Sequence, residues 1–451
     1  MSGSTEKKKT AQSGGFEKIS EDLIRPLYHN TFGNQVYIRV LIFFVIVGVI
    51  AYGHQLLDGL GLTAMRDYSS WGIYIASFVF WVAVSLIGSL ISAILKLLSQ
   101  NWSTPLSRIS ELIALGAIAM AAASIVIDMG RPDRVLNIAL HGRIQSPIVW
   151  DFLVVNTYLV ISAILLYLPL IPDIAIMRDK MTGIPKWQKK TYEMLALGWQ
   201  GTQEQWKLLK RAIWIMIILI LPVAFSIHTV TSWLFATNSR TGWHSTIFGP
   251  YFVSGAFVAG AAAVVIAMYV FRKRHKLQDY ITDKQFDMMG KLMVLTMLIY
   301  LYFNINEYLV PGYRWGRLDG AHIHELFLGH EAPLFWTTQI LGLILPIFLL
   351  MFKGMRKPGP SLVIACFVLL GAWVKRVLIV IPTQFHPQFP IQNVPESFLH
   401  YIPTWTEILI TLGTVAGALL IITLLVRIFP VIPIWEVAHE KGYHKIFKAE
   451  K

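Results

Sequence analysis

The segment "SPIVWDF", residues 146–152, opens a long apolar run and places Asp151 near its start. A second segment, "APLFWTT", residues 332–338, opens another apolar run with the same small-Pro-aliphatic-x-Trp order. In this second copy Thr337 stands where the first copy has Asp151. An apolar run of about 20 residues is long enough to cross a bilayer as a helix. The two segments therefore predict two membrane helices that start alike, of which only the first keeps the carboxylate.

The composition of the whole chain is that of a polytopic membrane protein. Of 451 residues, 55% are apolar and only 14% are charged, whereas soluble chains average about 25% charged residues. Since an open sheet cannot satisfy its backbone in lipid, the fold class is predicted to be all-α. Ten apolar runs predict about ten transmembrane helices, at residues 36–58, 70–97, 107–130, 147–171, 211–237, 246–271, 286–311, 332–353, 360–382 and 404–428.

The basic residues predict the orientation of the chain. The net charge is +13, and the cations lie in short clusters between apolar runs, as expected of loops that face anionic lipid. This placement indicates a lipid membrane rather than nucleic acid as the partner. The clusters favour one side, which places both termini in the cytoplasm. The polar residues 1–15 are predicted to be disordered.

Cysteine and histidine counts exclude several cofactors. The single cysteine, Cys366, excludes an internal disulfide, a Cys-ligated iron–sulfur cluster and a CxxCH haem site. Only His54 and His228 lie well inside apolar runs, and they would supply at most one bis-His site. We therefore expect no haem and no metal in this chain.

Short matches predict an internal duplication. Asp128 and Pro132 match Glu307 and Pro311, and four residues near the start of the second run, Gly72, Tyr74, Ser77 and Phe80, match Gly249, Tyr251, Ser254 and Phe257. Both copies start on the same side, which indicates a parallel repeat. The predicted division is a polar cytoplasmic segment 1–35, a first transmembrane helix 36–60, a first four-helix bundle 61–240, a second four-helix bundle 241–385, and a last transmembrane helix with a cytoplasmic tail 386–451.

Ionisable residues inside the apolar runs are costly and usually functional. Lys375 and Arg376 are adjacent and deep, so they need carboxylate partners or water. Asp128 could face lipid head groups or pair with Arg131. Glu307 and Glu407 fall within a turn or two of the predicted interface, where solvation would satisfy them.

The segment 128–151 combines a histidine and carboxylates with an aromatic side chain. It holds Asp128, Arg131, His141, Trp150 and Asp151 on the predicted outer side. A quinone head group needs a hydrogen-bond partner at each end and a titratable group to exchange its protons. The residues alone leave a quinone site, a small-ion site and a structural role open.

Several motifs together resemble a known family. "GRPDR", "SPIVWD", "LIPDIAIMRD", "LALGWQGT", "SIHTVTSWLFA" and "GWHSTIFGPYFVSGA" are similar to the NrfD/polysulfide-reductase membrane subunits, which include the ActC-type subunit of alternative complex III. The resemblance covers most of residues 36–430. ActC-type chains have His where this chain has Asp128, and an acid in the segment where it has Leu234.

The resemblance implies a subunit of a quinol-dependent oxidoreductase complex that is not active alone. Such a subunit exchanges electrons between menaquinol or menaquinone at the outer face and an extracytoplasmic iron–sulfur (ferredoxin-like) subunit. Molybdopterin-type or cytochrome c subunits complete the complex. The setting is a bacterial or archaeal cytoplasmic membrane, the fold is two tandem four-helix bundles, and proton transfer through the bundles is an expectation.

The candidate residues follow from these two lines of reasoning. We expect three catalytic residues, Asp128, Asp151 and His141. Quinone binding is assigned to Asp128, Arg131, His141, Trp150, Asp151, Tyr158 and His228. Proton transfer is assigned to Asp151, His228, Glu307, Lys375 and Arg376. The alternatives are an ion or solute transporter, or a passive membrane anchor of an extracytoplasmic redox enzyme.

Overall fold

The fold is entirely helical over the residues that the structure describes. The computed structural model describes residues 2–28, 32–98, 100–386, 393–395, 398 and 400–443. Within these ranges nine helices are long and apolar enough to cross a membrane. A shorter apolar helix, Ile73–Ser85, continues past a turn at Leu86 into a π-helical segment. The predicted all-α polytopic membrane protein with about ten transmembrane helices is confirmed; the end of the predicted tail, 444–451, lies outside the described residues.

We number the spans in chain order. Spans 1 to 5 are Phe32–Asp58, Ile73–Ser85 with its continuation Ile87–Ser89 and Leu90–Leu95, Thr104–Asp128, Pro147–Lys180 and Gln203–Ala236. Spans 6 to 10 are Phe248–Arg274, Asp283–Arg314, Ala332–Met351, Pro358–Val380 and Trp405–Ile428. The α-helices outside the spans are Ser2–Tyr28, Asn137–His141, Lys186–Leu195, Arg317–Phe327 and Ile434–Glu440.

Local sequence explains where several spans begin. Spans 5, 7 and 10 each start with a Thr-x-x-Gln/Glu capping box, in which the threonine hydroxyl and the third-residue side chain satisfy each other's backbone donors. The three pairs are Thr202 with Gln205, Thr282 with Gln285, and Thr404 with Glu407. Spans 4, 8 and 9 have proline in the first turn, where its missing N–H costs nothing.

The loops gather on two opposite faces. On the first face, Gln384 accepts a hydrogen bond from Trp71 N at 3.0 Å, and the Trp71 ring stacks on the Trp243 ring with 5.6 Å between their centroids. On the second, Glu436 binds Lys96 at 3.0 Å and Asp173 accepts from Trp435 N at 3.0 Å. We call the first the outer face and the second the inner face, after the predicted orientation. Which face lies in the cytoplasm stays a prediction.

The predicted disorder of residues 1–15 is wrong. An α-helix runs from Ser2 to Tyr28 on the inner face. Its second half carries apolar residues at helical spacing, and these are buried: Phe16, Ile19, Leu23 and Ile24. Lys180 also donates to the Ser20 hydroxyl at 2.6 Å. The polar start of the chain continues this anchored helix, which composition alone did not indicate.

The helices pack in an order that fits the duplication. Spans 2 to 5 contact one another in a ring, and so do spans 6 to 9. At the seam between the rings, span 6 packs against spans 2, 3 and 5, and span 9 packs against span 2. The predicted domain boundaries themselves stay a prediction. Spans 1 and 10 pack together where Gly48 faces Gly413, and a Cβ at Gly48 would lie 2.8 Å from the Gly413 Cα. Small residues allow helices to approach this closely in a membrane.

Gly48→Leu should therefore separate spans 1 and 10. We expect a destabilisation of about 1–3 kcal/mol, the usual cost of overpacking a tight contact, seen as a lower thermal unfolding midpoint in detergent. Gly53→Leu on the same helix is the matched control, because a Cβ at Gly53 meets nothing within 4 Å. Equal midpoints for the two variants would contradict the close helix contact.

Candidate functional site

Asp151 is buried in the outer half of the molecule. It lies in the first turns of span 4, about 6 Å from the helix start at 1.5 Å per residue, and is 3% exposed. Thr231, fully buried on span 5, donates its hydroxyl to Asp151 Oδ1 at 2.6 Å. Among the described residues no cation lies within ion-pair distance of this carboxylate. An unpaired buried carboxylate is costly in a protein interior, so this position calls for a proton or a ligand.

His228 lies one turn before Thr231 on span 5. It is 2% exposed, and its Nε2 is buried without a hydrogen-bond partner. The nearest charge acting on it is Arg376 of span 9, which is also buried. Arg376 lies 5.6 Å from the Phe252 ring, and its Nε has no hydrogen-bond partner either. Since buried polar atoms in folded proteins are nearly always paired, these two mark places where a ligand or water belongs.

Two tryptophans flank the Asp151–Thr231 pair along the chain, Trp150 directly before Asp151 and Trp233 two residues after Thr231. Trp150 of span 4 and Trp233 of span 5 lie edge to face with ring centroids 6.2 Å apart. The Trp150 indole donates to the Ile144 carbonyl, which fixes its ring. Tyr158 lies two turns deeper, fully buried, and its hydroxyl donates to Ser85 O at 2.8 Å. The structure thus places Tyr158 against the turn that interrupts span 2.

Arg131 and His141 lie on the exposed outer loop. Arg131 pairs with Asp133 at 2.9 Å, and this hydrogen bond lowers the pKa of the Asp133 carboxyl. His141 ends the short helix Asn137–His141 and is exposed. Among the described residues no hydrogen bond joins Arg131 or His141 to Asp128 or Asp151, so the pairing of Asp128 with Arg131 does not occur.

Asp128 belongs instead to a cluster at the outer ends of spans 1, 2, 3 and 10. Its Oδ1 is buried without a hydrogen-bond partner, and it is close enough to Glu407 and Tyr74 for electrostatic interaction. Glu407 was expected at the interface, but it is fully buried and accepts from the Tyr401 hydroxyl at 2.5 Å and from Ala64 N at 2.9 Å. Burial raises the pKa of the Tyr401 phenol.

Neutral side chains complete this outer carboxyl cluster. Tyr74 donates to Gln55 Oε1 at 2.7 Å, and Gln55 Nε2 donates to the Ile127 carbonyl at 3.0 Å. The cluster therefore connects span 1 to spans 2 and 3. Gln55 and Thr231 were not predicted from the sequence, because neither side chain can be ionised.

A second polar network lies between spans 7, 8 and 9. Lys375 Nζ binds Glu307 Oε2 at 3.0 Å and also the Tyr308 hydroxyl, with both charged side chains at least nine-tenths buried. Asn304 donates to Gln339 Oε1 at 3.2 Å. Beside them is a cavity of about 20 Å³, bordered by Asn304, Gln339, Lys375 and Arg376, which is large enough for about one water molecule.

The aligned residues of the two halves occupy comparable surroundings. In the first half Tyr74 lies near Asp128, and in the second half Tyr251 lies near the matching Glu307. The copies differ at positions 151 and 337. Asp151 is buried, whereas Thr337 is exposed on the outer end of span 8. The second copy therefore has no buried acid at this position.

A buried ion pair near the inner face was not predicted from the sequence. Arg108 and Asp173 are 1% and 0% exposed, and the guanidinium lies 3.1 Å from the carboxylate. Arg108 is close to the predicted end of an apolar run, where a solvated loop residue was the simpler interpretation. The Asp173 carboxylate also accepts from Ile434 N at 3.2 Å, so this pair holds the C-terminal segment against spans 3 and 4.

Comparison with known proteins identifies the family. The family described as "Polysulphide reductase, NrfD" matches residues 61–388. The chain belongs to the NrfD family. The resemblance predicted from the motifs is thus confirmed, and with it the prediction of a multi-pass membrane protein.

Three relatives of this NrfD chain carry functional names. A putative dimethyl sulfoxide reductase membrane subunit of Halobacterium salinarum is 27% identical over 71% of this chain and 70% of its own length. A selenate reductase subunit of Mesobacillus selenatarsenatis is 24% identical over 88% of this chain and 94% of its own length. The "Hdr-like menaquinol oxidoreductase integral membrane subunit" of Archaeoglobus fulgidus is 23% identical over 93% of this chain and 96% of its own length. All three are named as subunits of oxidoreductases.

The ion pair of the second half generates a stability prediction. Glu307→Gln leaves Lys375 buried without its carboxylate and should cost about 3 kcal/mol, as is typical when one partner of a buried pair is removed. The double variant Glu307→Gln/Lys375→Met should cost less than Glu307→Gln alone, because no unpaired charge remains. Denaturant unfolding of the purified protein measures both. If the losses in free energy of unfolding were additive in the double variant, this would contradict the buried pair. The control is Asp133→Asn at an exposed position, which should leave the free energy of unfolding unchanged.

Proposed function

We propose that this NrfD protein is the quinone-reactive membrane subunit of a respiratory oxidoreductase complex. It exchanges electrons between menaquinol or menaquinone at the outer ends of spans 4 and 5 and an iron–sulfur subunit docked on the outer face. A relative named as a menaquinol oxidoreductase subunit, similar over 93% of this chain, supports the choice of substrate. The proposed location is a bacterial or archaeal cytoplasmic membrane, with both termini in the cytoplasm.

One observation carries the proposal: the buried Asp151–Thr231 pair, with His228 one turn away. A quinol must lose two protons when it is oxidised, and a quinone must gain two when it is reduced. Asp151 offers a carboxylate that accepts a proton, and Thr231 holds that carboxylate in place at 2.6 Å. The unpartnered Nε2 of His228 offers a second hydrogen-bonding group. Two such groups match the two oxygens of a quinone head group.

The rim of the site suits a flat ring that enters from the lipid. The Trp150 and Trp233 rings lie edge to face next to the Asp151–Thr231 pair in sequence, and Trp233 is 41% exposed. Aromatic side chains bind a ring through offset or edge-to-face contacts. Asp128 and the outer carboxyl cluster lie at spans 1, 2, 3 and 10, so we assign Asp128 to proton exchange with the outer face rather than to direct contact with the ring.

The outer loop 129–146 is the proposed docking surface for the iron–sulfur partner. It exposes three cations and three apolar side chains together: Arg131, Arg134, Arg143, Leu136, Leu140 and Ile144. Exposed apolar side chains ringed by charge are typical of a protein interface. The basic rim would favour an acidic partner. Molybdopterin-type or cytochrome c subunits would then complete the complex beyond that partner.

The polar network of the second half is the basis on which we propose proton transfer. Glu307, Lys375 and Tyr308 form a connected chain, and the adjoining cavity brings Asn304, Gln339 and Arg376 within reach of about one water. Ionisable side chains buried in this way are typical of proton relays. We assign Glu307, Lys375 and Arg376, together with Asp151 and His228, to this transfer.

Asp151→Asn should abolish proton acceptance at the proposed quinone site. We expect menaquinol oxidation by the purified complex to fall by about 100-fold or more in kcat/KM, the usual contribution of a general base. Asp58→Asn is the matched control, since Asp58 is exposed on the same face and pairs with His54. Co-purification of the other subunits shows that the complex has assembled. Unchanged quinol oxidation in an assembled Asp151→Asn complex would contradict the proposal.

Glu307→Gln/Lys375→Met should separate proton transfer from electron transfer. Because no hydrogen bond or ion pair among the described residues joins Glu307 or Lys375 to Asp151, Thr231 or His228, quinol oxidation should continue, while the number of protons released per quinol in proteoliposomes should fall. The measurement is the pH change outside the vesicles during turnover. An unchanged proton-to-quinol ratio would remove these residues from the relay and leave the quinone proposal intact.

A further inference from the structure

A long groove runs through the membrane region beside the seam between the two rings of helices. Its volume is about 840 Å³, at the upper end of the range of about 300–1,000 Å³ found for ligand sites. Spans 6 and 9 form one wall, spans 1 and 10 form the opposite wall, and spans 2 and 3 form the floor. Asp151, Thr231 and His228 are not among the residues that line it, so the groove is separate from the proposed quinone site.

The groove is nearly as long as the membrane is thick. Along span 10 its lining extends from Ile408 to Arg427, about 28 Å at 1.5 Å per residue, against a hydrocarbon core of about 30 Å. Its middle is aliphatic and aromatic, with lining residues that include Phe80, Ala117, Ala267, Leu369, Val415 and Ile422. A ligand that fills this groove must therefore carry long hydrocarbon chains.

The inner end of the groove is basic. Arg274 on span 6 and Arg427 on span 10 line this end from opposite walls, and both are exposed. The Arg274 guanidinium lies 5.1 Å from the Tyr37 ring and binds the Asn34 side chain. In the described part of the chain no carboxylate pairs with Arg274. Two guanidinium groups at one end of an apolar groove are suited to a phosphate group, and His275 also lines the groove.

The outer half of the groove is only weakly polar. Ser77 accepts from the Trp373 indole at 3.3 Å, and the Thr411 hydroxyl is buried without a hydrogen-bond partner. Neither is charged, so an occupant with a charged head group would place it at the opposite end. Basic pockets between transmembrane helices on the cytoplasmic side bind anionic lipid head groups, and the inner face is the one predicted to be cytoplasmic.

We propose that the groove is a binding site for an anionic phospholipid. The phosphate lies between Arg274 and Arg427, and the acyl chains extend along Ala267 and Val415 towards Thr411. The bound lipid fills the space between spans 6 and 9 on one side and spans 1 and 10 on the other. This site is independent of the proposed quinone chemistry.

Native mass spectrometry of the delipidated complex tests this proposal. The complex is titrated with phosphatidylglycerol or phosphatidylcholine, and the bound lipids are counted. Arg274→Gln/Arg427→Gln should weaken phosphatidylglycerol binding by about tenfold or more. It should weaken phosphatidylcholine binding less, because the choline ammonium offsets the phosphate charge of that lipid. The matched control is Lys273→Gln/Lys357→Gln, which removes two exposed inner-face charges outside the groove. Ala267→Phe, which fills the apolar middle and keeps both cations, should also displace the lipid.

Two results would overturn the proposal. One is phosphatidylglycerol binding to Arg274→Gln/Arg427→Gln with the affinity of the control. The other is that the complex before delipidation retains a molecule with the mass of a quinone, and that Ala267→Phe no longer retains it, which would assign the groove to an isoprenoid chain with its head group near Thr411.

Discussion

A membrane interior has no water to solvate polar groups, and this constraint governs the whole structure. Every polar side chain placed between the spans must find a partner in the protein, take up a proton or bind a ligand. Most here find partners. Arg108 has Asp173, Lys375 has Glu307, and Glu407 has the Tyr401 hydroxyl and backbone N–H groups. The few that lack one are therefore informative, and the proposed quinone site is built on them.

Most of the buried polar atoms that lack a partner among the described residues lie in the outer half or at the seam, and Arg108 Nη1 near the inner face is an exception. Asp151 has only the Thr231 hydroxyl, His228 Nε2 has nothing, and Arg376 Nε has nothing among the described residues. These three connect spans 4 and 5 to span 9 of the second half. The predicted duplication would then have a physical consequence. The first half keeps a buried acid at its outer end, while the second keeps a paired acid and lysine next to a cavity of water size. Two halves of common origin would then divide quinone chemistry and proton movement between them.

The sequence predicted the features that depend on local pattern. Apolar length located the ten spans, Thr-x-x-Gln/Glu and proline explain several of their starts, and motifs such as "SPIVWD" and "SIHTVTSWLFA" identified the NrfD family. The features it did not predict depend on residues far apart in the chain. Glu407 accepts a hydrogen bond from Ala64 N, and the Tyr158 hydroxyl donates a hydrogen bond to the Ser85 carbonyl. Thr231 and Gln55 carry no charge, so no rule about ionisable residues in apolar runs could select them. The N-terminal helix was missed because the first residues of the chain are polar and apolar residues at helical spacing appear only in its second half.

The central claim is that a quinone ring binds beside Asp151, between the outer ends of spans 4 and 5. Photoaffinity labelling of the assembled complex with an azido-menaquinone analogue, followed by peptide mapping, tests it most directly. We expect the label to attach within residues 146–158 and 225–236, and excess menaquinone to prevent the labelling. Competable labelling confined to span 8 around Thr337, or to the groove beside span 10, would contradict it.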